Sequence, residues 1–320
     1  AAERIKQLER MQEQVDAALA ELENIDKAAE KMPARLPITD PESRFSKTKE
    51  GGFAPSYTPT ATVDIDSGII VDETVIAQSN ESGQLMATIG QVQEDYGLEG
   101  PVEEVLADGL MANGENITAC QEMGVDLISP VPGAHPGDNP SVREDLSQPV
   151  EPDRIGDLPT KKFNKQERFD KQAFVYDADR DVYWCPAGKT LKHSSQYQTT
   201  SAGKQITRDR YRADAGNCAG CPLAEKCLTG KSKARQIDRG EHQDAIDRQV
   251  EKMKQAESAE RYSHRRHAGE RPFAVIKQVF GLRQFLTRGL ESVRQEWRWA
   301  TVAFNLHRLS SLMTSVKQPP

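Results

Sequence analysis

The stretch PVEEVLADG, residues 101–109, is a short apolar run that ends in an aspartate and a glycine. It reads as a strand delivering Asp108 at its C-terminal end. In α/β sheets that edge is where sites are built, because a rigid element holds the side chain while it faces solvent. An Asp-Gly pair also closes ordinary turns, so the turn reading stands beside it. The flanks support a strand. ENITACQEMG (115–124) follows as a helix closed by Gly124, and VDLISPV (125–131) as a further strand. Before it, residues 83–96 form a helix pattern. SYTPTATVDI and GIIVDETVIAQ flank the turn Asp66-Ser67-Gly68 as a hairpin. Strands and helices alternating in this way predict an α/β fold.

The chain has 320 residues, enough for two domains or for one with a large insertion. Its mean hydropathy is -0.68. No apolar run is long enough to span a bilayer, and the first residues are charged and amphipathic, without the apolar core of a signal peptide. With five cysteines there is no even-numbered disulfide framework, so the expected compartment is the cytoplasm. Net charge is -7 but unevenly placed. Residues 63–157 hold 20 acids against two arginines, whereas residues 261–298 hold nine Lys plus Arg against three acids. The basic block suits a polyanion such as nucleic acid, and the acidic block suits metal binding or solvation.

Four cysteines cluster in residues 177–239. Cys218 and Cys221 have the C-x2-C spacing of a zinc knuckle, with Cys227 six residues later and Cys185 upstream. Four thiolates on a structural zinc would order a loop-rich module. Buried free thiols and reversible disulfides are the alternatives, and His193 is a substitute ligand. Cys120, in a helix pattern, reads as core.

In GERPFAVIK (269–277) a glutamate stands two residues before a proline. Proline is best tolerated in the first turn of a helix, so Glu270 is expected at a helix start, where the dipole favours a carboxylate. Lys277, almost two turns on, returns to the same face, and Arg266 lies one turn before. A carboxylate between cations suits a metal ion beside bound phosphates, while a solvated amphipathic helix is the plainer reading. The final helix is expected to bury Trp299, Val302, Ala303, Leu306, Leu309 and Met313. Its other side then carries Arg294, Arg298, Asn305 and Arg308.

This C-terminal stretch resembles the end of bacterial insertion-sequence DDE transposases. Arg266, Glu270 and Lys277 match the spacing of their signature, and Tyr262 stands one residue further out than usual. YDADRDVYWCPAGKTL (176–191) and CAGCPLAEKC (218–227) resemble the cysteine-bearing segment of one branch, and VEEVLADG resembles the strand of the second catalytic aspartate. The likeness spans about residues 50–312. It implies an RNase H-like core, with Asp108 and Glu270 as catalytic ligands of Mg²⁺ (or Mn²⁺). Tyr262, Arg266, Lys277, Arg283, Arg288, Arg294 and Arg298 would contact DNA. The partners implied are double-stranded transposon-end and target DNA and further copies of the chain, with no membrane.

Two departures stand out. Only two strands precede the helix at 83–96, so the first strand and its aspartate are expected to be missing, and the chain reads as a truncated transposase, inactive alone. Leu110 and Met111 occupy the place where the family carries a tyrosine. The expected organisation is therefore a helix at 1–31 with a coiled-coil stripe, a linker at 32–56 and the first part of an incomplete RNase H-like core at 57–131. A linker or insertion at 132–176, the cysteine-rich module at 177–239 and a helical C-terminal part of the core at 240–315 complete it. The rivals are a non-catalytic, zinc-stabilised DNA-binding remnant or regulator, and a coiled-coil protein that dimerises through residues 1–31.

Overall fold

A computed structural model describes residues 2–25, 35–47, 51–78, 81–135, 137–201, 204–230 and 232–316. In chain order the elements begin with α1 (Ala2–Asn24), β1 (Arg44–Lys47), β2 (Phe53–Ser56), β3 (Thr58–Val63), β4 (Ile70–Ile76) and α2 (Leu85–Asp95). Next come β5 (Glu104–Leu106), α3 (Gly114–Met123), β6 (Asp126–Ile128), β7 (Thr160–Phe163), β8 (Gln166–Phe169), β9 (Val175–Asp177) and β10 (Val182–Trp184). The rest are β11 (Thr190–Ser201), β12 (Lys204–Ala213), α4 (Ala215–Cys218), α5 (Ala224–Cys227), β13 (Gln236–Gly240), α6 (Gln243–Met253), α7 (Ala256–Gln278) and α8 (Leu290–Val316). The chain is thus mixed α/β. It forms two compact units, residues 1–131 with 248–320, and residues 132–247.

In the first unit, β3 and β4 form the expected antiparallel hairpin, with Thr58 opposite Ile76. Asp64 builds its turn by accepting from the backbone N–H of Ser67 (2.8 Å), and Gly68 takes a positive φ of 67° that disfavours a side chain. β5 and β6 pair in parallel, connected through α3. The two pairs are not hydrogen-bonded to each other among the described residues. Helix α7 touches β3, β5 and β6, while α8 lies on β4. Val75, Ile70, Ile276, Val293, Trp297 and Phe304 form the core under the hairpin.

Two expectations change here, and a third is described only in part. Residues 32–56 were expected as linker, yet β1 and β2 pair within them, Phe45 opposite Pro55. Proline is tolerated in such a strand because an edge position needs no ladder N–H. The expected helix over 1–31 is described from Ala2 to Asn24, and residues 26–31 lie outside the described residues. The stripe on α8 is inverted. Trp299, Val302, Leu306, Leu309 and Met313 are exposed, Trp299 at 75%, while Trp297 is only 2% exposed.

The reason lies at the hairpin. Its backbone has polar groups to satisfy, and an unpaired buried one is costly. Trp297 Nε1 donates to Thr60 O (2.8 Å), and Arg294 Nε to Val75 O (3.2 Å). Arg308 Nε donates to Ser67 O (2.7 Å). Asn305 exchanges two bonds with the backbone of Ile70, at 2.9 and 2.8 Å. The helix face that carries donors packs, and the purely apolar one does not.

The second unit is a five-stranded antiparallel sheet in the order β13-β12-β11-β10-β9, with a separate β7–β8 hairpin. Residues 132–176, expected as a linker or insertion, contribute β7, β8 and the start of β9. One sheet face packs Tyr183, Leu191, Tyr211, Ala213 and Ile237 into a core with Phe169 and Phe174. The buried Arg239 lies 3.8 Å over the Tyr176 ring and donates to Tyr183 Oη (2.9 Å). It is also paired with Asp244 and Asp247.

Nearby, Lys171 Nζ donates to Gln243 Oε1 (2.7 Å), and burial pushes its ammonium down from 10.5 to about 8. The unfolded chain then binds a proton that the folded chain has lost between about pH 8 and 10.5. Stability must rise with pH across that window, by at most about 3 kcal/mol. Urea unfolding of the wild type minus that of Lys171→Met should show the rise. A pH-independent difference would refute it.

Candidate active site

Strand β5 carries the chain to Asp108 as the sequence indicates. Ala107 N–H donates to Ile128 O across the parallel pair (3.2 Å), and the buried Ser129 hydroxyl donates to Asp108 O (2.8 Å). The backbone under the carboxylate is therefore held from β6. Both oxygens of Asp108 are engaged. Oδ1 caps the following 3-10 turn by accepting from Leu110 N–H (3.0 Å), and Oδ2 pairs with Arg265 (3.1 Å). The turn reading is thus realised on Oδ1, while Oδ2 is held in an ion pair.

Arg265 and Glu81 were not singled out in the sequence. Arg261 and Arg265 lie one turn apart on α7. Arg261 pairs with Glu104 and with Asp126 (3.2 Å), and Arg265 with Asp108. An arginine pair at i and i+4 ahead of the Arg266–Glu270 signature was the available signal, and only its partners in space reveal it. Glu81 follows β4 and is half-buried. Burial and the Asp108 charge push its carboxyl up, and Arg265 pulls it back, so the three groups share one neighbourhood. The buried Asn116 fixes that neighbourhood. Its amide donates to Ser82 O (2.8 Å), beside Glu81, and to Met111 O (2.9 Å), at the end of the Asp108 turn.

Glu270 is not at a helix start. Helix α7 runs through it unbroken, with Pro272 inside. An interior proline forfeits one backbone bond, roughly 3 kcal/mol against the helix. Pro272 and Ile276 are fully buried, and that packing keeps the helix continuous. The helical spacing still puts Arg266, Glu270 and Lys277 on one stripe, and all three are exposed. The Lys277 ammonium lies 5.6 Å from the centre of the Phe273 ring. Tyr262 is half-buried on the same helix. Arg283 and Arg288 are exposed on the segment between α7 and α8. Arg294 is committed to Val75 O, and Arg298 pairs with Glu73 (2.9 Å).

All five cysteines are free, and Cys120 is fully buried as expected of a core residue. Cys185, Cys218 and Cys227 pack against the second unit's core. Burial raises the Cys185 thiol and pushes Cys227 up to about 12, and the neighbouring thiols, Cys218 and Cys221 included, add to both effects. The four thiols therefore share one electrostatic neighbourhood. Among the described residues, however, no three His, Cys, Asp or Glu side chains are placed to hold a metal ion, at the cysteines or around Asp108. No helix among the described residues is long and apolar enough to cross a membrane.

No curated protein and no solved structure matches the chain. Residues 184–310 match the family model described as a transposase DDE domain. That range takes in Cys185, Cys218, Cys221, Cys227, Tyr262, Arg266, Glu270 and Lys277, and leaves Asp108 outside it.

Proposed function

We propose that this chain, whose residues 184–310 match a transposase DDE domain, serves Mg²⁺-dependent cleavage and transfer of DNA strands on an RNase H-like core. The observation that carries the reading is Asp108 at the end of a parallel strand, paired with a helix that also bears the Arg266–Glu270–Lys277 stripe.

The donor chemistry fits a hard divalent cation, which takes carboxylate oxygens. Glu270 is exposed and makes no ion pair among the described residues. Asp108 is half-exposed and its Oδ2 is held only by Arg265, and such solvent-facing pairs are worth about 0–1 kcal/mol, so a cation can displace it. Bound Mg²⁺ supplies Lewis-acid stabilisation and a more acidic attacking hydroxyl. The chain's own part is to hold Asp108 through Ser129 and Asn116 and to present Glu270. Arg266 and Lys277 position the phosphates. The reading needs a third carboxylate, and Glu81 shares the neighbourhood of Asp108, although no three such side chains close on a metal ion among the described residues.

Iron-directed cleavage tests this without requiring turnover. Fe²⁺ with ascorbate and peroxide should cut the backbone near residues 108 and 270, Mg²⁺ should compete, and Asp108→Asn should weaken both cuts. Random or Mg²⁺-insensitive cutting would refute it. The electrostatic neighbourhood that the four thiols share favours one second reading, a non-catalytic DNA-binding protein stabilised by zinc. It requires the sulfurs to close on the ion, with proton release on binding. One zinc per chain with no iron-directed cutting would select it.

A further inference from the structure

We propose that the outward face of strands β11–β13 binds the sugar-phosphate backbone of duplex DNA through Lys192, Arg208 and Arg212. These residues are distinct from those of α7. The inference rests on the transposase reading only for the choice of DNA as the polyanion.

The strand register assigns the face. Lys192 stands opposite Arg212, Ser195 opposite Arg210 and Tyr197 opposite Arg208. On the other side Arg210 stands opposite Asp238, and Arg212 opposite Gln236. Residues paired in this way project from the same face, and alternate residues along a strand share it. The intervening residues Leu191, Tyr211, Ala213 and Ile237 are buried in the core, so Arg208, Arg210 and Arg212 point away from it. They recur about every 7 Å along β12.

Five cations on this face, Lys204 at its end included, meet one acid, Asp238. It is already taken by Arg210 Nε (2.8 Å) and by the Tyr197 hydroxyl (2.8 Å). Arg210 also lies 4.5 Å from the centre of the Tyr197 ring, which fixes both groups. Lys192, Arg208 and Arg212 make no ion pair among the described residues. Arg208 Nε is buried without a hydrogen-bond partner. Leaving a buried donor unpaired costs about 1–3 kcal/mol. A chain with a net charge of -7 has acids in excess, yet among the described residues only Asp238 reaches this set, through the charge of Arg208, and Lys192 and Arg212 have no ion pair. The face carries no large apolar side chain that is exposed, which argues against a protein partner with a dry core. A row of cations in which Arg210 is fixed and Lys192 and Arg212 stand exposed without an ion pair suits phosphate oxygens.

The test uses the full 320-residue chain and a fluorescein-labelled 20-base-pair duplex, with anisotropy read from 50 to 200 mM NaCl. Lys192→Gln/Arg212→Gln changes two exposed side chains and should leave folding intact by circular dichroism. Each lost phosphate contact flattens log K against log salt by about 0.9. This variant should therefore flatten the slope by about 2 and weaken binding at 50 mM salt at least tenfold. Adding Arg208→Gln should flatten it further. An unchanged slope overturns the proposal, as does a wild-type chain that fails to bind the duplex at 50 mM salt. Arg266→Gln/Lys277→Gln, measured in parallel, reports on α7 by itself. The iron cleavage described above judges the carboxylates without DNA, so the two readings fail separately.

Discussion

Glu270→Gln is expected to abolish Mg²⁺-dependent strand cleavage in a transposition-competent polypeptide that carries these residues, while duplex affinity stays within about twofold. The substitution keeps the volume and one oxygen of the side chain and removes the charge that a divalent ion requires. Even partners outside a metal's ligand shell are worth about 10–100-fold, so a ligand should cost more than about 100-fold. Binding should persist because the arginines and lysines that meet phosphate are untouched. Cleavage within tenfold of wild type would remove Glu270 from the ligand set. A matching loss of affinity would mean that the glutamate positions DNA instead. Asp108→Asn provides the contrast. It keeps the cap to Leu110 N–H but weakens the Arg265 pair, so a small stability loss should accompany the loss of cleavage.

The second large effect is structural. Trp297→Ala should destabilise the first unit by about 3–5 kcal/mol, measured as the urea midpoint at constant m. The indole is 2% exposed, stacks on Phe273 with centroids 5.5 Å apart, and donates to Thr60 O. Removing it leaves a cavity and an unsatisfied carbonyl at once. Trp299→Ala, two residues on, should change the midpoint by no more than about 0.5 kcal/mol, because that ring is 75% exposed. Similar effects at both positions would mean that α8 does not present its Trp297 face to the hairpin.

That contrast also marks where the sequence is legible. The β3–β4 hairpin, the β5–α3–β6 unit and Gly124 as a left-handed cap all follow from local patterning and turn chemistry. Helix α8 does not, because it carries two stripes that could pack. The apolar one, from Trp299 to Met313, is the more regular in sequence, but the hairpin backbone needed donors. The stripe of Arg294, Trp297, Asn305 and Arg308 supplied them. Pro272 misleads for a related reason, since its local preference for a helix start yields to burial. At the candidate site, Asp108 and Glu270 can be read from motif spacing. Arg265, Glu81 and Asn116 cannot, since each matters through a partner brought close only by the fold.

The first unit is assembled from both ends of the chain, and this bears on how the protein is made. Ile70 waits for Asn305, 235 residues later, to complete its backbone bonds. At about 5–20 residues per second the ribosome takes roughly 10–50 s to deliver that partner. During that time the hairpin has left the exit tunnel with Ile70 and Val75 uncovered, while the intervening 132–247 is synthesised as one uninterrupted piece. Production of the intact protein therefore depends on how well a nascent β-hairpin is shielded during translation, and a slower ribosome prolongs its exposure.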